Sequence, residues 1–370
     1  MNNKFKNIIC ALIIFLFVFQ VTIYGSDSSI VNNTTSEVNK EIPTEAILLS
    51  SLSYNTLDEW NLEKKEIKIK MDELLGEKPL TKVSLFPKVL SKRDMGTYTR
   101  SKVSYRVDKN ERITAYLLVP KNIKKTAPSV LALHQTIKDG KNEVVGITGS
   151  KEMSYGVDLV EQGFIVLAPD ALSAGERIFE DYGEYDSKPF YDKFPNWSMI
   201  GKAIWDNQVA IDYLMTIDKV DKDNIMVIGH SEGAVDSLFL AAFDERISAV
   251  AMSCGLSTIS GDPDPYRWSR DSWFVAIPKL REYLDIGEIP FDFHELVALV
   301  APRPILSLSA SEDKFSPHYK GVFEIGKESS KVYELYDKKE NLNIHVFNGE
   351  HSLPDTNKIL IYNWLKSQIK

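Results

Sequence analysis

Apolar and polar positions along the chain fall into four successive regimes. An uninterrupted apolar run, Ile8 to Phe19, comes first, and from Ser26 to about Asn55 follows a stretch rich in Ser, Asn, Thr and Glu with weak periodicity. The segment LDEWNLEKKEIKIKMDELLGEKP then spaces its apolar residues as a helix does, and Gly76 and Pro79 mark its end. Beyond it come eight short strand-like runs: KVSYRV, ITAYLLVP, SVLALH, FIVLAP, NIMVIG, ISAVAMS, PILSLS and NIHVFN. The first two are joined by DKNER, a hairpin-like turn, whereas helical segments separate most of the later ones; candidates include Met199 to Met215, Ser231 to Phe243, Pro317 to Lys327 and Thr356 to Ile369. Later runs are apolar at nearly every position, as strands covered on both faces must be. The expected fold class is therefore α/β: a mostly parallel eight-stranded sheet with an antiparallel start, flanked by helices and preceded by an N-terminal helical extension.

These regimes divide the chain into an export signal over residues 1–25, a flexible spacer over 26–55, a helical extension over 56–95 and a main domain over 96–370. Lys4 and Lys6 ahead of the apolar run, with Gly25 and Ser26 after it, have the order of a secretory signal. The run is shorter than the roughly 20 residues a spanning helix needs, so cleavage and release are expected, with no stable membrane insertion afterwards and a secreted, extracellular or periplasmic location. Cys10 lies in that segment, which leaves Cys254 alone in the mature chain and no internal disulfide. The formal net charge is −8, and −10 without residues 1–25. Nucleic acids and anionic membranes need a basic face and are excluded as partners; oligomeric state is not legible.

Candidate chemistry centres on NIMVIGHSEGAVDSLFLAAF, where Ser231 stands between Gly229 and Gly233. Chance alone yields such a pentapeptide on the order of a tenth of a time per chain, so the setting decides. Here a strand meets a helix, and the sharp turn presents the serine above the sheet edge while helix amides aim at the same place. The rival reading is a serine N-cap with incidental glycines. A serine nucleophile needs a base and an orienting acid, in the chain order acid then histidine. His351, in the loop after the last strand, is the expected base, and His345 is a strand side chain. Asp313 is the expected acid; the neighbouring Glu312 is its alternative. Backbone amides of Glu232 and of Gln135 or Thr136 are the expected oxyanion donors. His134 reads as a residue that structures its turn, and Asp355 as the cap of the last helix. His294 and Glu295 are adjacent rather than on one helical face, and no other spacing suggests a metal.

Taken together, YLLVP before APSVLALHQT, GFIVLAPDALSAGER, DYLMTIDKVDKDNIMVIGHSEGA, AAFDERISAVAMSCG and PFDFHELVALVAPRPILSLSASEDKFSP give the chain from about Trp60 onward a family likeness. It resembles the α/β-hydrolase superfamily, and within it the bacterial dienelactone-hydrolase-like and acetyl xylan esterase-like branch. The resemblance implies a cofactor-free serine hydrolase with Ser231, His351 and Asp313 as its triad. The implied substrate is a small-molecule or carbohydrate ester, short acyl groups on carbohydrate among them. A peptidase or amidase of the same fold, and a non-catalytic binding protein, are the alternatives. Dienelactone hydrolases carry cysteine where this chain has Ser231; Gln135 stands where many relatives have glycine, and Ala234 where related peptidases show a second glycine. The insertion STISGDPDPYRWSRDSWFVAIPKLREYLDIGEIPFDFHE is the expected pocket wall, with Trp268, Trp273 and Phe274 as candidate contacts beside Tyr266. The loop DALSAGER is expected to shape the site through internal ion pairing around Asp170 and Arg177.

Overall fold

The computed structural model describes residues 49–316 and 318–370; the expected signal segment and the spacer up to residue 48 lie outside them. The first helix, α1 (Leu57–Leu75), starts where the Thr56 hydroxyl accepts the Glu59 amide at 3.2 Å, with Asp58 and Glu59 in the first turn complementing the helix dipole. It stops at Gly76, whose φ of 83° only glycine adopts easily. Trp60, Ile67, Met71 and Leu74 fall on one stripe and are all buried. That stripe merges with the main core, so the helical extension is an integral layer of the body. Residues 49–55, expected as the end of a flexible spacer, are tied down as well. Leu52 is buried, its amide donates to Glu328 Oε2 at 3.2 Å, and Ser50 Oγ meets His294 Nε2 at 2.8 Å.

Among the described residues the sheet has nine strands, not eight: β1 (Lys88–Asp94), β2 (Tyr98–Arg106), β3 (Arg112–Pro120), β4 (Ala127–Leu133), β5 (Ile165–Pro169), β6 (Val220–His230), β7 (Ile247–Ser253), β8 (Ile305–Ala310) and β9 (Leu342–Phe347). Their order is β1-β2-β3-β5-β4-β6-β7-β8-β9. Pairs from β1 to β3 and β3 with β5 are antiparallel, and every pair from β5 and β4 through β9 is parallel. The unexpected strand is β1, an edge strand exposed along its whole length. It is held by backbone pairing to β2 and buries no side chain, so it left no hydrophobic alternation to read.

Among the described residues, seven longer helices cover the sheet: α1, α2 (Tyr155–Glu161), α3 (Met199–Met215), α4 (Glu232–Phe243), α5 (Phe293–Val300), α6 (Tyr319–Leu335) and α7 (Asp355–Ser367). Strand residues alternate between two cores. Leu131, Val227 and Val250 face the core shared with α1, α3, α4, α5 and α6, while Val130, Met226, Ile228 and Ala251 face the one shared with α2 and α7. Three helix limits differ from expectation. Helix α4 opens at Glu232 with Ser231 in the cap position, α6 starts at Tyr319 and runs on to Leu335, and Pro354 rather than Asp355 precedes α7.

Since Trp60 is fully buried in a continuous core, Trp60→Ala is expected to lower unfolding free energy by about 3–5 kcal/mol. Urea denaturation measures it; a loss below about 1 kcal/mol would show that α1 is not an integral layer.

Candidate active site

Parallel strands end on the same side, so the loops after β4, β6, β8 and β9 converge at one edge of the sheet. At the end of β6 the chain must reverse into α4 within one residue. Ser231 takes that conformation, φ 55° and ψ −122°, and its amide donates to the Ser253 carbonyl at 2.8 Å. Gly229 and Gly233 allow it: a Cβ on Gly229 would collide with the Gly233 carbonyl, and one on Gly233 with the Leu133 carbonyl. The glycines of the motif thus let α4 pack directly on β4 and β6.

After β8 and β9, Asp313 Oδ2 and His351 Nδ1 meet at 2.6 Å. The other oxygen of Asp313 accepts the amides of Phe315 at 2.9 Å and Ser316 at 3.0 Å. Burial works to raise this carboxyl, but the bond to and charge of His351 and those two amides outweigh it and hold the group below its ordinary value. Glu312, the alternative acid, is exposed. Two rings flank His351: Phe315 edge-on at 4.9 Å and His230 at 4.8 Å between centroids. His230 is fully buried with Nδ1 3.0 Å from Ser253 Oγ; burial, then the nearby His351, pushes it down to about 3. Cys254 Sγ lies within 4.8 Å of the Asp313 and His351 ligand atoms. Burial, then the charge of Asp313, pushes its thiol up to about 12, so it stays protonated beside an acid and a histidine that already bond each other.

The opposite side of Ser231 is the turn after β4. Glu232 is the first residue of α4, and its amide has no acceptor within the helix. Gln135 and Thr136 line the same cavity. Their turn is clamped from behind. His134 Nε2 accepts the Ala171 amide at 3.0 Å, which leaves Nδ1 to donate to the Gln135 carbonyl at 2.7 Å. Burial lowers the His134 value and keeps the ring neutral in that role. The Tyr185 hydroxyl donates to the same carbonyl at 2.9 Å and accepts the Ile137 amide at 3.1 Å. Gln135 Nε2 donates to buried Glu143 at 2.9 Å, which anchors that side chain.

A cavity of about 540 Å³ joins Ser231, His351, Gln135, Thr136 and Glu232 to Trp268, Trp273 and Phe274. Tyr266 is not among its lining residues; its hydroxyl donates to Asp285 at 2.9 Å. Phe315, Lys314, Arg267 and Arg270 line it too, and sequence reasoning missed them because they sit in loops or, for Arg267, in a single 3₁₀ turn (Pro265–Trp268), where no periodicity marks them. A larger groove of about 700 Å³ between α1 and α3 holds neither Ser231 nor His351. Against the expectation of internal ion pairing, Asp170 and Arg177 find their charged partners outside their loop. Asp170 pairs with Lys141, and Arg177 with Glu111 and, at 2.8 Å, with Asp206, because both residues point inward to elements packed behind the turn. His294 and Glu295 diverge: Glu295 closes a capping box on the Asp292 amide at 2.9 Å, whereas His294 faces Ser50.

The profile of the Abhydrolase family matches residues 33–355. YtaP of Bacillus subtilis (strain 168), which carries a hydrolase name, is 29% identical over 229 residues, 60% of this chain and 73% of that protein. Carbohydrate esterase MZ0003, from an unknown prokaryotic organism, is 32% identical over 149 residues, 38% of this chain and 34% of its own length. Among solved structures, a glucuronoyl esterase from Solibacter usitatus superposes with a TM-score of 0.69 at 19% identity, covering 90% of this chain and 100% of that one. At such identity the superposition speaks for the fold alone, a mostly parallel sheet flanked by helices. With the family profile spanning most of its length, the chain belongs to the Abhydrolase family, on the α/β-hydrolase fold.

Proposed function

We propose that this protein is a carboxylic ester hydrolase that acts on a small-molecule or carbohydrate ester through Ser231, His351 and Asp313. One observation carries the reading: a serine on a strained strand-to-helix turn shares a cavity with a histidine whose far nitrogen is bonded to a buried carboxylate at 2.6 Å. His351 Nε2 takes the Ser231 proton as Oγ attacks the ester carbonyl. Asp313 fixes the tautomer by accepting from Nδ1 and stabilises the imidazolium that forms. Amides of Glu232 and of Thr136 or Gln135 receive the charge on the carbonyl oxygen. Collapse expels the alcohol, which His351 protonates, and water then cleaves the acyl-enzyme by the same route in reverse. Similarity to a protein named a carbohydrate esterase supports a carbohydrate ester as the substrate, and short acyl groups are the class proposed for it. The same proposal takes residues 1–25 as a cleaved export signal and 96–370 as the catalytic domain of a secreted enzyme.

Ser231→Ala is expected to cut turnover of short-chain aryl esters by about 10³-fold or more with an unchanged circular dichroism spectrum; retention of more than about a tenth of the activity overturns the assignment. Tyr185→Phe removes the hydroxyl that holds the Gln135 carbonyl and Ile137 amide. Its kcat is expected to fall about 10–100-fold with KM within about twofold. A change confined to KM would make Tyr185 a pocket wall only. His230 is depressed in the folded chain from an unfolded value of about 6.5, so the unfolded chain binds a proton that the folded one refuses. Its stabilising contribution is full above the unfolded value and is lost as pH falls towards about 3. Denaturation at pH 7.5 and 4.5 is expected to show a smaller stability loss in His230→Gln, the difference being on the order of 2 kcal/mol; equal losses count against a neutral buried His230.

A further inference from the structure

The formal charge of the whole chain is −8, yet the cavity at Ser231 is cationic. Three of its lining residues are Arg267, Arg270 and Lys314, against Asp264 and Glu232. The Glu232 carboxyl is raised well above the usual range by burial first and then by the neighbouring Asp236, while the charge of Arg270 acts to lower it. Arg267 is committed, with Asp262 at 2.7 Å and the Phe315 carbonyl as its partners. Arg270 and Lys314 differ. Both are exposed and, among the described residues, neither has a carboxylate at salt-bridge distance; each lies instead over an aromatic ring of the cavity. The Arg270 guanidinium is 5.3 Å from the centre of Trp273, and Lys314 Nζ is 5.0 Å from that of Phe315. Phe315 in turn touches His351, so the two cation-capped rings come from different loops, the Phe315 ring directly beside the reacting atoms.

An aromatic face with an unpaired cation over its rim binds a molecule that is flat or apolar on one side and anionic at its edge. Resting on the esterase reading above, we infer that the ester cleaved here carries a free carboxylate outside the reacting carbonyl, held by Arg270 and Lys314. That carboxylate belongs either to the sugar, as in an O-acetylated uronic acid, or to the acyl group, as in a dicarboxylic half-ester. A cationic cleft in an acidic protein draws such substrates in against the long-range field, and salt weakens the attraction.

The test compares kcat/KM in two matched pairs at low and high salt. One pair is O-acetylated glucuronic acid against O-acetylated glucose; the other is the 4-nitrophenyl half-ester of glutaric acid against 4-nitrophenyl valerate. In one pair the anionic member is expected to be favoured by about tenfold or more at low salt, with the ratio shrinking as salt rises. The ratio is expected to fall to about one in the doubly substituted Arg270→Gln, Lys314→Gln protein. The responding pair tells which half of the ester bears the carboxylate. Turnover without anionic preference in either pair, or a preference that survives both substitutions, overturns the subsite and leaves the esterase reading standing. Absence of turnover on all four esters by folded protein overturns both. The salt series on the unaltered protein needs no variant to fold.

Discussion

Helix α4 can sit directly on β4 and β6 only because Gly229 and Gly233 carry no side chains, and that contact forces Ser231 to φ 55°. A residue with a Cβ resists this conformation, by on the order of 1–3 kcal/mol, and surrounding packing must impose it. Here the imposition is broad. The Ser231 amide is bonded across to β7, and buried Ala234, Leu238 and Phe239 anchor the helix in the core. Everything else in the site is measured from this point: the Glu232 amide follows because α4 begins there, and the β4 turn faces it because β4 pairs with β6.

The turn after β4 illustrates how much buried polarity is spent on position. His134, Tyr185 and the Gln135–Glu143 bond fix it from three sides. Behind them Lys141 pairs with Asp170, Arg177 with Glu111 and Asp206, and Lys202 with Glu111 at 3.0 Å and with Asp206. Buried ion pairs lose hydration that their attraction barely recovers, so they add little net stability. What they do is make one arrangement of the loops far better satisfied than any shifted one, because a shift leaves a buried charge alone. A rigid turn is what the oxyanion role proposed for it requires. The cavity also separates its duties: a rigid polar floor at the sheet edge, and an exposed rim where Trp273, Arg270 and Lys314 meet solvent.

The sequence by itself determined the parts that depend on local rules. Short, nearly continuous apolar runs exposed the buried strands, the Gly-x-Ser-x-Gly pattern drew attention to the turn at Ser231, and chain order pointed to Asp313 and His351. It missed β1, whose pairing is made by backbone alone. Tertiary structure decided what depends on adjacency between distant segments. Only the packing of the β8 and β9 loops brings Asp313 rather than Glu312 to His351, and only the return of loop 170–177 against α3 gives Arg177 its carboxylate partners, Glu111 and Asp206, from outside the loop. Tyr266 and Trp268 stand two residues apart in one insertion, yet one faces Asp285 and the other the cavity. The physical reason is common to these cases: periodicity reports burial and turn chemistry, which are set within a few residues, whereas side-chain partners in loops are chosen by three-dimensional packing that leaves no period in the chain.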